Sequence, residues 1–387
     1  MRGLRGALVI VLLAFLSCAG SAQAVSVNFV GPEEVVYDYD TMKCFQFDQP
    51  DIPARAFRDY LGRTQISLAG ANTRMIGPDL NNVAHDCTVV MPHLHRPLAS
   101  DYADVDWMSG FYTTDGQEVF ALNHAEYHGH EHPGYCGEQF ARCRYNAVTL
   151  SRSTNGGELY VRPNPPSHLV AAMPYRYVPG DGRYGFFTPS NIIEKDGWFY
   201  NMVLVSATYE AQRGGVCLMR TQDLADPKSW RAWDGTGFNV RFIDPYREAG
   251  EPVAAHVCEP VSKPEIGELN RSITWNTYLD KYVVVGTAVK YEPSLARNVT
   301  GFYYSTSDDL INWTESELLT EIENGASWQC GDPDPVAYPS FLDPDSPDRN
   351  FNTSNQRLYL YYSPVRFVNC INTQTRDLVR REIEFQQ

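Results

Sequence analysis

Residues 272–315 read SITWNTYLDKYVVVGTAVKYEPSLARNVTGFYYSTSDDLINWTE. Three runs rich in Val, Tyr and Thr are separated by a two-residue Asp280-Lys281 turn and a longer loop, and the last run gives way to Asp308-Asp309-Leu310 and Trp313. β-branched and aromatic residues bounded by turn formers predict an antiparallel meander. The same punctuation recurs along the chain. A tight turn before an apolar strand appears as Asp115-Gly116, Asp196-Gly197, Asp280-Lys281 and Asn355-Gln356, at separations of 81, 84 and 75 residues. Downstream of the first three turns a strand ends in Ser or Thr and a polar turn leads to an aromatic, as in TLSRSTNGGELY (149–160), LMRTQDLADPKSW (218–230) and YYSTSDDLINW (303–313). A weaker unit runs from Arg55 through TQISLAG to Asp79-Leu80. Repetition at this period predicts five copies of one meander.

Helical periodicity is nearly absent, so the expectation is all-β. Residues 25–40 carry VSVNFV and EEVVYDY, a strand with no hairpin partner nearby. The terminal DLVRREIEF offers it a neighbour, and a first strand that completes the last unit hides an edge otherwise open to aggregation. The expected fold is a five-bladed β-propeller with its N-terminal strand closing the last blade.

Residues 1–24 carry two arginines, the apolar run ALVIVLLAFL and Ala22-Gln23-Ala24, the parts of a secretory signal peptide. Lipidation at Cys18 is the alternative. Cleavage after Ala24 leaves 25–387, over which no linker divides the chain, and one domain is expected. Eight cysteines remain, an even number that suits disulfides in an exported chain, with Cys136 and Cys143 the clearest pair. The expected location is secreted or periplasmic. Sequons at Asn270, Asn298, Asn312 and Asn352 are potential glycan acceptors. A net charge of −15 disfavours nucleic acid and anionic membranes as partners and points to uncharged ligands. A monomer is expected, with no cofactor and no resident metal.

Secretion, five units, the ST-DDL-NW mark and aromatic second strands together resemble the five-bladed β-propeller glycosidases, a superfamily of arabinanases, β-xylosidases, invertases and levansucrases. The resemblance implies a carbohydrate substrate and acidic residues meeting where the first strands of the units converge. Glycosidic cleavage needs one carboxyl to donate a proton and another to activate water or attack the anomeric carbon. Strand starts are where residues distant in sequence meet, which selects Asp51, Asp104, Asp106, Glu259 and Asp334. Glu259, in Cys258-Glu259-Pro260, looks like the Glu-Cys neighbourhood of the invertase-type acid with the order reversed. Its apolar flanks are expected to keep it protonated. Asp51 takes the place of the first-blade base, and Asp106 that of the second carboxylate, with Asp104 competing. Trp107 is expected as a sugar-stacking platform or a packing residue. The third unit begins Thr188-Pro189-Ser190-Asn191, without the acid that the arabinanase-like pattern places there, and Ser190 is assigned to substrate binding.

NHAEYHGHEHP (123–133) is the most unusual composition in the chain. On a strand His124, Glu126 and His128 share one face, able to bind a sugar or a divalent metal. Arg55 is read as a clamp for a substrate carboxylate or as a partner of a nearby acid. The chain lacks G-x-S-x-G, P-loop and dinucleotide motifs. Three functions follow: a glycosidase or transglycosylase, a non-catalytic carbohydrate-binding propeller, and a metal-dependent enzyme using residues 124–132.

Overall fold

The computed structural model describes residues 25–137, 140–206, 211–248, 250–323 and 328–387, so the leader read at 1–24 lies outside them. Strand β1 (Ser26–Tyr37) precedes five groups of strands. The first is β2 (Ala56–Arg58), β3 (Thr64–Leu68), β4 (Thr73–Asp79) and β5 (Asn82–Asp86). The second is β6 (Val105–Tyr112), β7 (Val119–His128), β8 (Cys143–Ser153) and β9 (Leu169–Ala171). After β10 (Gly182–Phe187) comes the third: β11 (Ile193–Lys195), β12 (Trp198–Ser206), β13 (Gly215–Thr221) and β14 (Arg231–Ala232). The fourth is β15 (Ser272–Asn276), β16 (Lys281–Glu292), β17 (Arg297–Ser307) and β18 (Glu317–Glu321). The last is β19 (Val336–Leu342), β20 (Thr353–Ser354), β21 (Arg357–Val368), β22 (Ile371–Arg376) and β23 (Leu378–Gln386).

The first four groups are antiparallel meanders; in the last, β19, β21 and β23 pair antiparallel in that order with β22 on β21, while β20 runs parallel to β15 of the fourth, and β1 pairs with β23 (Phe29 opposite Ile383), the neighbour that DLVRREIEF offered. One strand was not foreseen. β10 runs parallel to β8 over Gly182–Gly185 and antiparallel to β12 over Gly185–Phe187, joining the second and third groups into one sheet. The repeated turns lie where the spacing put them, and Gly116 and Gly197 take left-handed backbones (φ +78° and +74°) that suit glycine.

Hydrophobic residues of neighbouring groups form five cores. Phe57, Met108 and Tyr160 pack between the first and second groups, and Trp230 with Tyr145 and Phe186 between the second and third. Trp313 with Leu218 and Val284 joins the third to the fourth, and Phe302 with Phe341 and Phe385 the fourth to the fifth. Tyr37, Ile66, Leu342 and Tyr361 join the fifth to the first. The aromatic that ends each outer mark (Tyr160, Trp230, Trp313) is therefore a buried anchor.

The first strands converge on Arg55, which is 3% exposed. Its guanidinium donates to the carbonyls of Ser109 (2.7 Å), Ala54 (3.3 Å), Pro189 (3.5 Å) and Arg271, stitching residues of four groups together. Burial and the neighbouring charge of Arg271 pull it down to about 9.

The eight cysteines among the described residues all pair: Cys44–Cys87, Cys136–Cys143, Cys217–Cys258 and Cys330–Cys370. Two of the four sequons are sealed. Asn270 and Asn352 are buried and hold the carbonyls of Thr188 and Ile192, whereas Asn298 and Asn312 are exposed. No helix among the described residues is long and apolar enough to cross a membrane.

Candidate active site

Side chains alternate across a strand, so the register of β6, β7 and β8 decides which residues share a face. Trp107 stands opposite His124, Glu126 opposite Asn146, and His128 opposite Arg144. His124, Glu126 and His128 do share that face. Trp107, half-buried, lies 5.6 Å from the His124 ring and 5.9 Å from that of His128. Glu126 is buried, and its carboxylate is ion-paired with Arg144 and hydrogen-bonded by His128 (3.3 Å) and Asn146 (3.2 Å). Burial alone would raise its pKa, but the His128 hydrogen bond and the charge of Arg144 hold it well below the usual carboxylate range. His124 is pulled down to about 3 by burial, against the opposing charge of Glu126, and is neutral. Its Nε2 lies 2.6 Å from the amide nitrogen of Asn146.

Three further elements bring cations and a phenol to this face. Arg183 of β10 lies over Phe187 (4.5 Å) with Nε 3.9 Å from Glu126. Arg271, just ahead of β15, interacts electrostatically with Arg183, His124 and Tyr338. Tyr338 of β19 donates its hydroxyl to Asp51 (2.8 Å), which also meets Arg376 (3.1 Å). Burial, then the charge of Asp51, push the Tyr338 hydroxyl up, so it stays protonated at neutral pH. Arg144 feels both Glu126 and Tyr338. Asp51 and Glu126, 75 positions apart in sequence (51 to 126), thus belong to one cluster. Two non-glycine residues here have left-handed backbones, Thr188 (φ +35°) and Tyr338 (φ +60°). Such conformations persist only where surrounding structure holds them, and the Asn270 amide pins the Thr188 carbonyl at 2.8 Å.

No family model matches the chain, and no curated protein matches it. Among solved structures it is similar to a candidate hydrolase from Bacteroides ovatus ATCC 8483 (10% identity, 86% of this chain and 85% of that one, TM-score 0.48). It is also similar to a candidate glycosidase from Bacteroides thetaiotaomicron VPI-5482 (10% identity, 91% and 93%, TM-score 0.47). A third is an exo-1,5-α-L-arabinanase from a bovine ruminal metagenomic library (11% identity, 87% and 95%, TM-score 0.44). At TM-scores below 0.5 these likenesses decide neither family nor activity.

Several residues selected from sequence lie outside the cluster. Glu259 sits beside the end of the third group, its N–H bonded to the Trp233 carbonyl and its carboxylate ion-paired with Arg213. At 39% side-chain exposure it lacks the apolar surround expected of a proton donor. Asp106 is fully buried on the opposite face of β6, bonded to Arg162 (2.9 Å) and Thr149 (3.3 Å), and burial raises its pKa. One residue of strand alternation separates it from Trp107. Asp104 is buried among histidines, accepting from the His128 N–H (2.8 Å) and meeting His132 (2.9 Å). Ser190 is buried, donating to the Asn191 carbonyl (2.7 Å) and accepting from the Met202 N–H (2.9 Å). Arg55 has its donors on main-chain carbonyls and is no clamp.

Tyr338, Arg144, Arg183, Arg271 and Arg376 were not selected from sequence. For Arg271 and Tyr338 the signal was present, since they occupy the same strand starts that were searched for acids alone. Within the His-rich segment, His128, His130 and Glu131 bring one ligand atom each within 4.8 Å, a set able to hold a divalent cation, with His128 Nδ1 3.0 Å from Glu131. Cys44, His85 and Cys87 form a second such group, but its two sulfurs are joined as a disulfide. A cleft of about 420 Å³ opens at the turn ends of the strands, beside Glu194, Asp196, Asp308 and Asp348. Its acids are partnered locally, Asp196 by Lys195 (2.7 Å) and Asp308 by Lys281 (2.6 Å).

Proposed function

We propose that this chain is an exported glycoside hydrolase or transglycosylase built as a closed five-bladed propeller, acting where the first strands converge. The ring is supported by five cores in cyclic order, the last joining the fifth group to the first. Export is supported by four disulfides, which form and persist in oxidising compartments.

The observation that carries the activity is two partnered carboxylates, Asp51 hydrogen-bonded by Tyr338 and Glu126 ion-paired with Arg144, with Tyr338 and Arg144 within electrostatic reach of each other. Glycosidic cleavage uses two carboxylates, and its transition state carries positive charge at the anomeric carbon. Glu126, held ionised, fits the group that stabilises or attacks that carbon. Asp51, hydrogen-bonded by a protonated phenol, fits the group that exchanges a proton with water or the leaving oxygen. Trp107 and Phe187 supply apolar faces for the C–H side of a sugar ring.

The test is turnover on a panel of plant, algal and microbial glycans. Asp51→Asn and Glu126→Gln are each expected to lower kcat by about 10²–10⁴, in protein whose circular dichroism matches the parent. Full activity in either folded variant would overturn the assignment. A parent that binds glycans and cleaves none would point to recognition alone.

A further inference from the structure

We infer that this site takes a sugar carrying an oxyanion, a uronate carboxylate or a sulfate ester, seated against Arg271 and Arg183. The inference rests on the site proposed above and names its substrate class. Its ground is an imbalance of charge. Arg376 has Asp51, while Arg144 and Arg183 share Glu126. Arg271 has no ion pair among the described residues, and its Nη1 is sealed from solvent without a hydrogen-bond partner. Arg376 Nε is in the same condition. Burial is the main cause that lowers the Arg271 pKa; Tyr338, a protonated phenol, and Glu268 act to raise it, Arg183 lowers it further, and Arg271 in turn lowers that of Arg55.

An unpaired guanidinium partly withdrawn from solvent is unfavourable unless an anion answers it. A neutral sugar hydroxyl would satisfy the donor but leave the charge. A planar carboxylate or a sulfate does both, and arginine's fork matches their oxygens bidentately. Arg183 is half exposed and backed by Phe187, placed to meet the ligand at the entrance. The overall charge of −15 had pointed to uncharged ligands, but a local excess of cations outweighs a distant net charge within a Debye length of about 8–10 Å.

Calorimetric titration of the full-length protein with galacturonate, galactose 6-sulfate and galactose reads the preference directly. At least one acidic sugar is expected to bind about tenfold tighter than galactose, with the tighter of the two identifying the oxyanion. Arg271→Met is expected to abolish the preference and Arg183→Gln to reduce it by about half or more on the logarithmic scale. Equal binding of all three sugars overturns the inference, as does a preference that survives in folded Arg271→Met. Should that variant fail to fold, exposed Arg183→Gln decides in the same way. An acidic preference without cleavage of any glycan refutes the hydrolase and leaves this inference standing. Cleavage of neutral glycans without acidic preference does the reverse.

Discussion

Arg55 and Arg271 touch, yet they belong to two different regions. Arg55 sits at the hub where the first strands meet, and its guanidinium is hydrogen-bonded to carbonyls of four strand groups. Arg271 lends that hub its carbonyl but sends its side chain to the adjoining face, where Nη1 has no partner. Identical side chains in contact therefore differ in what satisfies them. A cation answered by main chain is part of the fold, and a cation answered by nothing is part of a site. Glu126 stands between the two cases. Its partners Arg144, His128 and Asn146 satisfy it, but on the face that Arg271 shares.

This contrast is broken or sharpened by stability measurements in denaturant. Arg55→Met strands several buried carbonyls at about 1–3 kcal/mol each, so the variant is expected to lose most of its stability and to express poorly. A variant that unfolds within about 1 kcal/mol of the parent would remove Arg55 from the hub. Glu126→Gln leaves Arg144 buried without its carboxylate, and a loss of about 3–5 kcal/mol is expected, read as a lower denaturation midpoint at unchanged slope. The smallest effect is expected for Arg271→Met, because a methyl-ended side chain replaces an unanswered charge. Its midpoint should equal or exceed the parent's, and a loss above about 2 kcal/mol would mean that Arg271 is already satisfied.

Much of the strand pattern was legible from the chain alone, because its signals are local. Turns at Asp115-Gly116, Asp196-Gly197 and Asp280-Lys281 and the aromatic anchors Trp230 and Trp313 are written within a few residues of their effect. So was the shared face of His124, Glu126 and His128, which needs only strand alternation. β10 escaped notice because GRYGFF gains its meaning from partners in β8 and β12, strands on either side of it in the chain. The proposed site was half legible: Asp51, Trp107, His124 and Glu126 fall within the cluster around Glu126 and Tyr338, while Glu259, Asp104, Asp106 and Ser190 fall outside it. Asp106 faces the other way by one residue of strand alternation, and Glu259 lies beside the third group, partly exposed and ion-paired with Arg213.

By itself the sequence determined the meander repeat, its turns, and the oxidising chemistry implied by paired cysteines, all properties of short windows or of composition. Which charges are answered and which are not was decided by tertiary structure alone. Coulomb interactions and hydrogen bonds act through space over a few ångströms, and Asp51 with Tyr338, or Arg271 with Arg183, meet only after the strand groups have packed. An arginine in a sequence carries one charge wherever it stands. Its neighbours, gathered from distant strands, make it a rivet at position 55 and a receptor for an anion at position 271.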